Sequence, residues 1–370
     1  MIILVGAGHT HIEILRRGRE LQQQGHEAVC ISPAPLHPYS GMGPGVLGGR
    51  YRPEETLLPA AELAQRNGIR FIQDRVTGVD TAARTIQLAA GQELRYTLLS
   101  LNIGSESEGV PAPGVFSAKP ISELFRARRE IESRAAAGLR TRIAVVGGGP
   151  SGVELAGNAA CLLQQLRAEG GVVLYSADAN RLAGVSGRRF RYIVRRLRVQ
   201  GVDIRFGVRA DIHQLDADII LAAGGVRPPQ ISKAFGLPAA ADGSFLVDEY
   251  LRVQGFTDIF AVGDCAWFAH PESGRPLDRV GVYAVRQQEV LMENLLATAS
   301  VGPGGSSAEP GPARAPTLTP FTGVGRYLSG VNLGCGRGML YRGCWTVTGR
   351  PAFRLKDWID RRFVRRYYRD

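Results

Sequence analysis

At 370 residues, 44% of them hydrophobic and 21% charged, the chain is long enough for more than one domain and too apolar to stay disordered. No apolar run reaches the roughly 18–20 residues of a membrane span, and five scattered cysteines (Cys30, Cys161, Cys265, Cys335, Cys344) argue against a secreted disulfide framework. The net charge of +11 is almost all arginine, since lysine occurs only at Lys119, Lys233 and Lys356; it fits either a solvated arginine-rich surface or attraction to polyanions.

The chain opens directly on an apolar strand, Ile2–Val5, rather than on a basic, cleavable leader, and the cysteines suit a reducing, cytoplasmic setting. Gly6-Ala7-Gly8 follows the strand. Ile12, Leu15 and Leu21 then mark the apolar side of one helix ending near Gly25, and Glu27–Ile31 reads as a second strand. A Pro/Gly-rich loop without periodicity, Ser32–Arg50, is long enough to suggest function. Three short strands, Phe71–Val76, Thr85–Leu88 and Leu94–Ile103, predict a small antiparallel layer feeding back into the main sheet.

The scheme then repeats. A helix at Ser122–Ala136 and a strand at Ile143–Val146 lead into Gly147-Gly148-Gly149-Pro150-Ser151-Gly152. A helix over Gly152–Leu166, a strand at Val172–Tyr175, a basic helix at Arg188–Gln200 and strands at Asp203–Val208 and Asp218–Ala222 complete the unit at Ala223-Gly224-Gly225. Strand Ile259–Val262, the pair Gly263-Asp264 and a helix over Val280–Leu296 return to what the first sheet needs. The expected fold is therefore α/β, with two Rossmann-like dinucleotide-binding domains, the second inserted in the first. The expected boundaries are 1–116 with 247–320 for the first domain, 117–246 for the second, and 321–370 for a small C-terminal extension. Ser300–Pro320 reads as a flexible connector, and the last helix starts near Phe353.

Each glycine turn joins a strand to a helix, where backbone N–H groups can approach a pyrophosphate. The second fingerprint is complete at Gly147, Gly149 and Gly152; in the first, His11 stands where a third glycine is usual. Two such loops in one chain suggest two dinucleotides and electron passage between them. The acidic residue expected for a ribose hydroxyl is replaced by Ser32 in the first unit and Ser176 in the second, with Asp178 nearby but displaced, so NADH and NADPH both stay open. Asp264 can accept a hydrogen bond from a ribityl hydroxyl or cap a helix. The helix beginning near Val282 would point its positive end at a flavin.

These residues, with Pro38–Met42, Leu99–Ser105, Gly147–Ala156, Phe260–Ala266, Gly281–Gln287 and Lys356–Phe363, resemble the pyridine nucleotide–disulfide oxidoreductase superfamily of flavoproteins. The likeness is greatest to type II NADH dehydrogenase-like proteins, including those also found fused to selenide, water dikinase, in which a histidine at the His11 position is usual. The resemblance implies FAD contacts at Gly6, Gly8, His9, His11, Ser32, Gly104, Gly263, Asp264, Val282 and Tyr283. It implies NADH or NADPH contacts at Gly147, Gly149, Pro150, Gly152, Ser176 and Gly224. It also implies catalytic places for Glu154 and Gln287, although Glu154 can equally serve its helix dipole.

No C-x4-C or C-x-x-C dithiol is present, and Ser151 stands where sulfide:quinone oxidoreductases resemble one another in carrying cysteine. Cys335 and Cys344 could meet across a hairpin or be structural. His9 and His11 lack the partners of a metal site. The segment Arg354–Arg369 sets Leu355, Trp358, Ile359, Phe363 and Tyr367 among arginines, as a helix would that lies on an anionic membrane; docking on the protein is the other option. No nucleic-acid-reading motif accompanies the basic residues.

The expected activity is hydride transfer from NAD(P)H to FAD and then electron transfer to an acceptor, most plausibly a quinone, by a cytoplasmic protein peripheral on the inner face of the plasma membrane. The alternatives are a flavin oxidoreductase acting on sulfur or selenium compounds, and a non-enzymatic flavin redox sensor or membrane-associated assembly partner.

Overall fold

A computed structural model of the protein describes residues 1–107, 112–301 and 316–368. The first sheet takes strands β1 (Ile2–Val5), β2 (Ala28–Ser32), β3 (Arg70–Gln73) and β7 (Leu98–Leu101). Between β3 and β7, β4 (Val76–Asp80), β5 (Thr85–Leu88) and β6 (Glu93–Arg95) form a separate antiparallel layer. The second sheet contains β8 (Val115–Ser117), β9 (Thr141–Val146), β10 (Gly170–Ser176), β11 (Val202–Phe206) and β12 (Ile219–Ala222). The chain then returns to the first sheet through β13 (Ile259–Ala261).

Both large sheets are parallel, in the orders β13-β7-β1-β2-β3 and β8-β12-β9-β10-β11. Their central strands are unbroken apolar runs, as burial on both faces requires; every residue of β1 and β7 is buried. In each sheet the strand order reverses beside the strand that carries a glycine turn: between β1 and β7, and between β9 and β12. Such reversals open crevices at the carboxyl ends of parallel strands.

Helices α1 (His11–Arg16), α2 (Gly18–Gln23), α3 (Ser122–Ala136), α4 (Pro150–Leu166), α5 (Gly187–Val199) and α6 (Gly281–Val301) flank the sheets. The expected single helix over residues 12–25 is two helices. Gly18 lies so near the following loop that a Cβ would stand 2.7 Å from the Asn67 carbonyl oxygen and from Ile69, and the chain turns there to clear it. The expected strand Phe71–Val76 also divides. Asp74 accepts the N–H groups of Arg75 (2.7 Å) and Ala90 (3.2 Å), turning the chain from the parallel sheet into the antiparallel layer.

The C-terminal element is an antiparallel sheet, β14 (Ser329–Asn332), β15 (Gly338–Arg342) and β16 (Trp345–Gly349), followed by α7 (Arg350–Arg366). It packs on α4 at very short range: a Cβ on Gly157 would lie 2.5 Å from the Leu333 carbonyl oxygen, and one on Gly334 2.2 Å from that of Gly157. Cys335 meets Cys161 of α4 in a disulfide, rather than Cys344, which is exposed and free. Most of the expected connector, residues 302–315, lies outside the described residues, as does Arg369. No helix among the described residues is long and apolar enough to cross a membrane.

Candidate functional site

One side chain organises the first glycine turn. Asn102 is buried just past β7; its Oδ1 accepts the N–H groups of Thr10 (3.2 Å) and His11 (3.3 Å), and its Nδ2 donates to the Val262 carbonyl (2.9 Å). The ends of β1, β7 and β13 are thereby tied together. Gly6 (φ +85°) is required where it stands, because a Cβ would lie 2.4 Å from the Asn102 carbonyl oxygen; one on Gly8 would meet Oδ1 at 2.4 Å and one on Gly263 would meet Nδ2 at 2.6 Å.

With those donors tied back, the N–H groups of Gly8 and His9 are left without partners among the described residues. Consecutive free donors at a strand-to-helix turn favour an anion. Ser32 ends β2 nearby, buried, and Gly104 faces open space. Asp264 follows β13 and takes Ser105 Oγ at 2.6 Å and the Lys119 ammonium on the same oxygen, Oδ2. Burial alone would raise this carboxyl, but Lys119 and Ser105 outweigh it and hold Asp264 below its usual value. Val282 and Tyr283 lie in the first turn of α6, whose Ala284 abuts Gly263.

His9 closes the other side. It touches His37 (Nδ1 to Nε2, 3.3 Å) and Ser40 (3.4 Å), lies beside Tyr39, and stacks on Phe363 of α7 with ring centres 6.2 Å apart. Burial, aided by Lys119, pushes His9 down to about 4; burial, then His9 and Lys119, push His37 to about 3. Both rings are neutral near pH 7.

Two expected site residues also make hydrogen bonds within the scaffold. His11 is fully buried, with Nδ1 on the Gly6 carbonyl (2.6 Å) and Nε2 on Ser100 Oγ (2.8 Å), so its ring braces the turn rather than facing the crevice. Gln287 is also buried, and its Oε1 accepts the Gly263 N–H at 2.7 Å, so it positions the Gly263–Asp264 turn.

The second turn is shaped by glycines that close on backbone rather than on a side chain. Gly147 (φ +126°) presses on the carbonyl that ends the neighbouring strand, with a Cβ position 2.2 Å from the Ala223 oxygen. Gly152 lets α4 close on the turn, since a Cβ there would stand 1.8 Å from the Gly147 oxygen, and Pro150 begins the helix where no N–H is needed. Gly149 and Gly224 face open space, and the N–H groups of Gly148 and Gly149 have no partners among the described residues. Together with Ser176 they border a cleft of about 860 Å3.

Glu154 lies one turn into α4, three residues beyond the last of the cleft's border residues on that helix, Ser151. Its Oε1 accepts the Asn332 N–H (2.7 Å), and burial pushes the carboxyl up to about 7 against the pull of Lys356 and that hydrogen bond. Lys356 of α7 donates to Asp360 Oδ2 (2.7 Å) and to the Gly41 carbonyl (2.9 Å), and Tyr39 donates to Asp360 Oδ1 (3.3 Å). Burial works against charge on Lys356, but Asp360 and Glu154 prevail and raise its pKa. Lys356, Asp360 and Tyr39 thus form a hydrogen-bonded chain that ends beside His9, and Glu154 feels the charge of Lys356 at its other end. Sequence reasoning passed over Asn102, Lys119 and Lys356 as individuals. The composition offered one signal: two of the three lysines in an arginine-dominated chain are these mostly buried site cations.

The signature described as pyridine nucleotide-disulphide oxidoreductase matches residues 1–289. The chain belongs to that family. It is a flavin-dependent oxidoreductase that uses FAD and NAD(P)H. A type II NADH:quinone oxidoreductase of Staphylococcus saprophyticus is 22% identical over 328 residues, covering 80% of this chain and 81% of the relative. Among solved structures, NDH2 of Plasmodium falciparum in complex with NADH superposes with a TM-score of 0.77 at 13% identity, covering 99% of this chain and 97% of that one. Reduced Bacillus anthracis CoADR-RHD gives a TM-score of 0.72 at 18% identity, covering 92% of this chain, which spans 61% of that longer one.

The residues present fit these cofactors. Free donors at Gly8 and His9, open space at Gly104 and the Asp264 carboxylate suit FAD at the first turn; free donors at Gly148 and Gly149 and the open cleft suit a nicotinamide dinucleotide at the second.

Removing Asn102 tests whether it organises the first site. Asn102→Ala strands the N–H groups of Thr10 and His11, at about 1–3 kcal/mol for each group left unsatisfied, and leaves the Val262 carbonyl only the Cys265 thiol. The variant is expected to lose several degrees of melting temperature and to retain less FAD through gel filtration. An unchanged melting temperature and flavin content contradict the assignment.

Proposed function

We propose that this protein is an NAD(P)H:quinone oxidoreductase that works at an anionic membrane surface. The observation that carries the proposal is the buried, proton-holding Glu154 on α4 in the field of Lys356, which itself bonds Asp360 and the Gly41 carbonyl beside the first glycine turn. Bound FAD supplies the two-electron relay between a reduced nicotinamide and an acceptor. The second cleft binds the coenzyme through its loop donors and through the N-terminus of α4. Quinone reduction by NAD(P)H consumes one further proton beyond the transferred hydride. Glu154 holds a proton up to about pH 7, and the charge of Lys356 acts on it. The pair can release a proton to a reduced quinone and recover it from solvent.

Thiol chemistry has less support. The Cys161–Cys335 pair lies seven residues beyond Glu154 on α4, about 10 Å along the helix axis, and Cys335 is on the exposed turn between β14 and β15. Neither glycine turn carries a cysteine.

The C-terminal helix supports the membrane reading while also docking on the protein. Phe363 and Tyr367, expected on one apolar stripe with the rest, turn inward; Tyr367 is fully buried. Leu355, Trp358 (55% exposed) and Ile359 turn outward, and Trp345 of β16 is exposed as well. Arg362 covers the Trp358 ring at 5.2 Å. Such a face places aromatics in an interface and arginines at headgroup level.

Two outcomes follow. With a soluble quinone, turnover of the native protein is expected to fall as pH rises through about 7, because the proton on Glu154 is lost. Glu154→Gln is expected to remove that inflection and lower quinone turnover by roughly 100-fold, the scale of one positioned acid, while ferricyanide, which takes electrons alone, is reduced as before. Equal losses with both acceptors, or an unchanged pH profile, contradict the proton role. In flotation with phosphatidylglycerol vesicles, the native protein is expected to rise with the lipid and Trp358→Ala with Ile359→Ala to remain below; equal flotation of both contradicts membrane contact by this face.

A further inference from the structure

The far end of the second cleft differs from a site built for an unphosphorylated ribose. In dinucleotide folds a carboxylate at the end of the second strand reads the ribose hydroxyls, whereas an arginine accommodates a 2′-phosphate. Here β10 ends at Ser176, which is 1% exposed, and its hydroxyl donates to the Asp178 carbonyl at 2.9 Å. There is no room for a longer acid: a Cβ on Gly148 would already lie 2.2 Å from Ser176 Oγ. The nearest carboxylate, Asp178, accepts the Asn180 N–H through Oδ1 (2.8 Å) and shapes the following turn.

Two arginines flank this position from different loops. The loop after β10 is fastened to the glycine turn by the Ala183 N–H on the Gly148 carbonyl (2.8 Å), and it presents Arg181 to the cleft. The loop after β11 is fastened to β10 by the Val208 N–H on the Ser176 carbonyl (3.0 Å), and the next residue, Arg209, also borders the cleft. Arg181 donates to the Gly184 carbonyl (3.0 Å), and neither guanidinium pairs with a carboxylate among the described residues. Two arginines without a carboxylate partner among the described residues thus border the adenosine end of this nucleotide cleft. Asp178 leaves the pair in excess, with two positive charges against one negative.

We infer that Arg181 and Arg209 form a 2′-phosphate subsite and that the preferred coenzyme of this protein is NADPH. The inference rests on the assignment of the second cleft to the nicotinamide coenzyme and goes beyond it by naming which coenzyme. Ser176 contributes by omission: it removes the carboxylate that would repel the phosphate.

The test uses the purified FAD-loaded protein and two probes that lack nicotinamide, adenosine 2′,5′-bisphosphate and AMP, measured by calorimetry. The 2′-phosphate probe is expected to bind at least about tenfold tighter, the scale of one charge-assisted hydrogen bond. Arg181→Ala with Arg209→Ala is expected to erase that difference while AMP binding stays within about twofold of native. Arg198→Ala, on the outer face of α5, removes a positive charge elsewhere and is expected to leave the preference intact. The ratio of kcat/KM for NADPH over NADH should fall in parallel with the probe preference. If the native protein binds AMP as tightly as the bisphosphate, or if the double variant keeps the preference, the subsite is overturned while coenzyme binding in this cleft stands. If neither probe nor either coenzyme binds, the subsite and the assignment of the cleft both fall.

Discussion

Asn102 is the constraint on which the first site depends. Three strands end at the same level, and the chain leaves each of them through a turn that has to pass its neighbours. A single carboxamide fills the space between the turns and satisfies groups from each, with its acceptor on Thr10 and His11 and its donor on Val262. Because it occupies that space, Gly6, Gly8 and Gly263 cannot carry side chains. The glycines of the first turn are therefore explained twice over. They clear Asn102 behind the turn, and they leave the Gly8 and His9 donors in front of it free to meet an anion.

The inserted unit solves the same problem with backbone alone. Gly147 rests on the Ala223 carbonyl, and no side chain is needed between β9 and β12. The two crevices differ in what closes them. The first is lined by neutral histidines, Tyr39 and the Lys119–Asp264 pair and is covered by α7; the second is open. That asymmetry matches one cofactor held in place and one that comes and goes. The C-terminal element joins the two, since Gly157 and Gly334 let it approach α4 closely, Asn332 then bonds Glu154, and Lys356 bonds Gly41 and Asp360 near the first turn. Raising the Glu154 carboxyl takes burial, and that burial is created by the C-terminal element, so the proton chemistry proposed for α4 depends on residues nearly two hundred positions later in the chain.

The layout of strands was legible because buried parallel strands are uninterrupted apolar runs bounded by glycine, as at Ile2–Val5 and Ile143–Val146. The return of β13 to the first sheet was legible for the same reason. The divided helix at Gly18 and the divided strand at Asp74 were not, because their causes are a loop at residues 67–69 and a partner at Ala90. Side-chain direction was the larger gap. The glycine fingerprint located His11 at the turn but could not tell that its ring points back to Ser100. The motif containing Gln287 gave its neighbourhood but not its hydrogen bond to Gly263. The apolar stripe of the last helix was visible, yet only packing decided that Phe363 and Tyr367 face in while Trp358 faces out. The contact between Cys161 and Cys335 spans 174 positions and has no local signal.

In the proposed function one chain holds two dinucleotides, and electrons pass from the one bound in the open cleft to the one held against the Asn102-braced turn. Anaerobic titration of the purified protein with NADPH and NADH, followed by visible absorbance, tests this most directly. The account predicts a yellow protein with one FAD per chain whose flavin is bleached by reduced coenzyme without oxygen and recovers its colour on addition of quinone. A protein that binds no flavin, or whose flavin neither coenzyme bleaches, would contradict it.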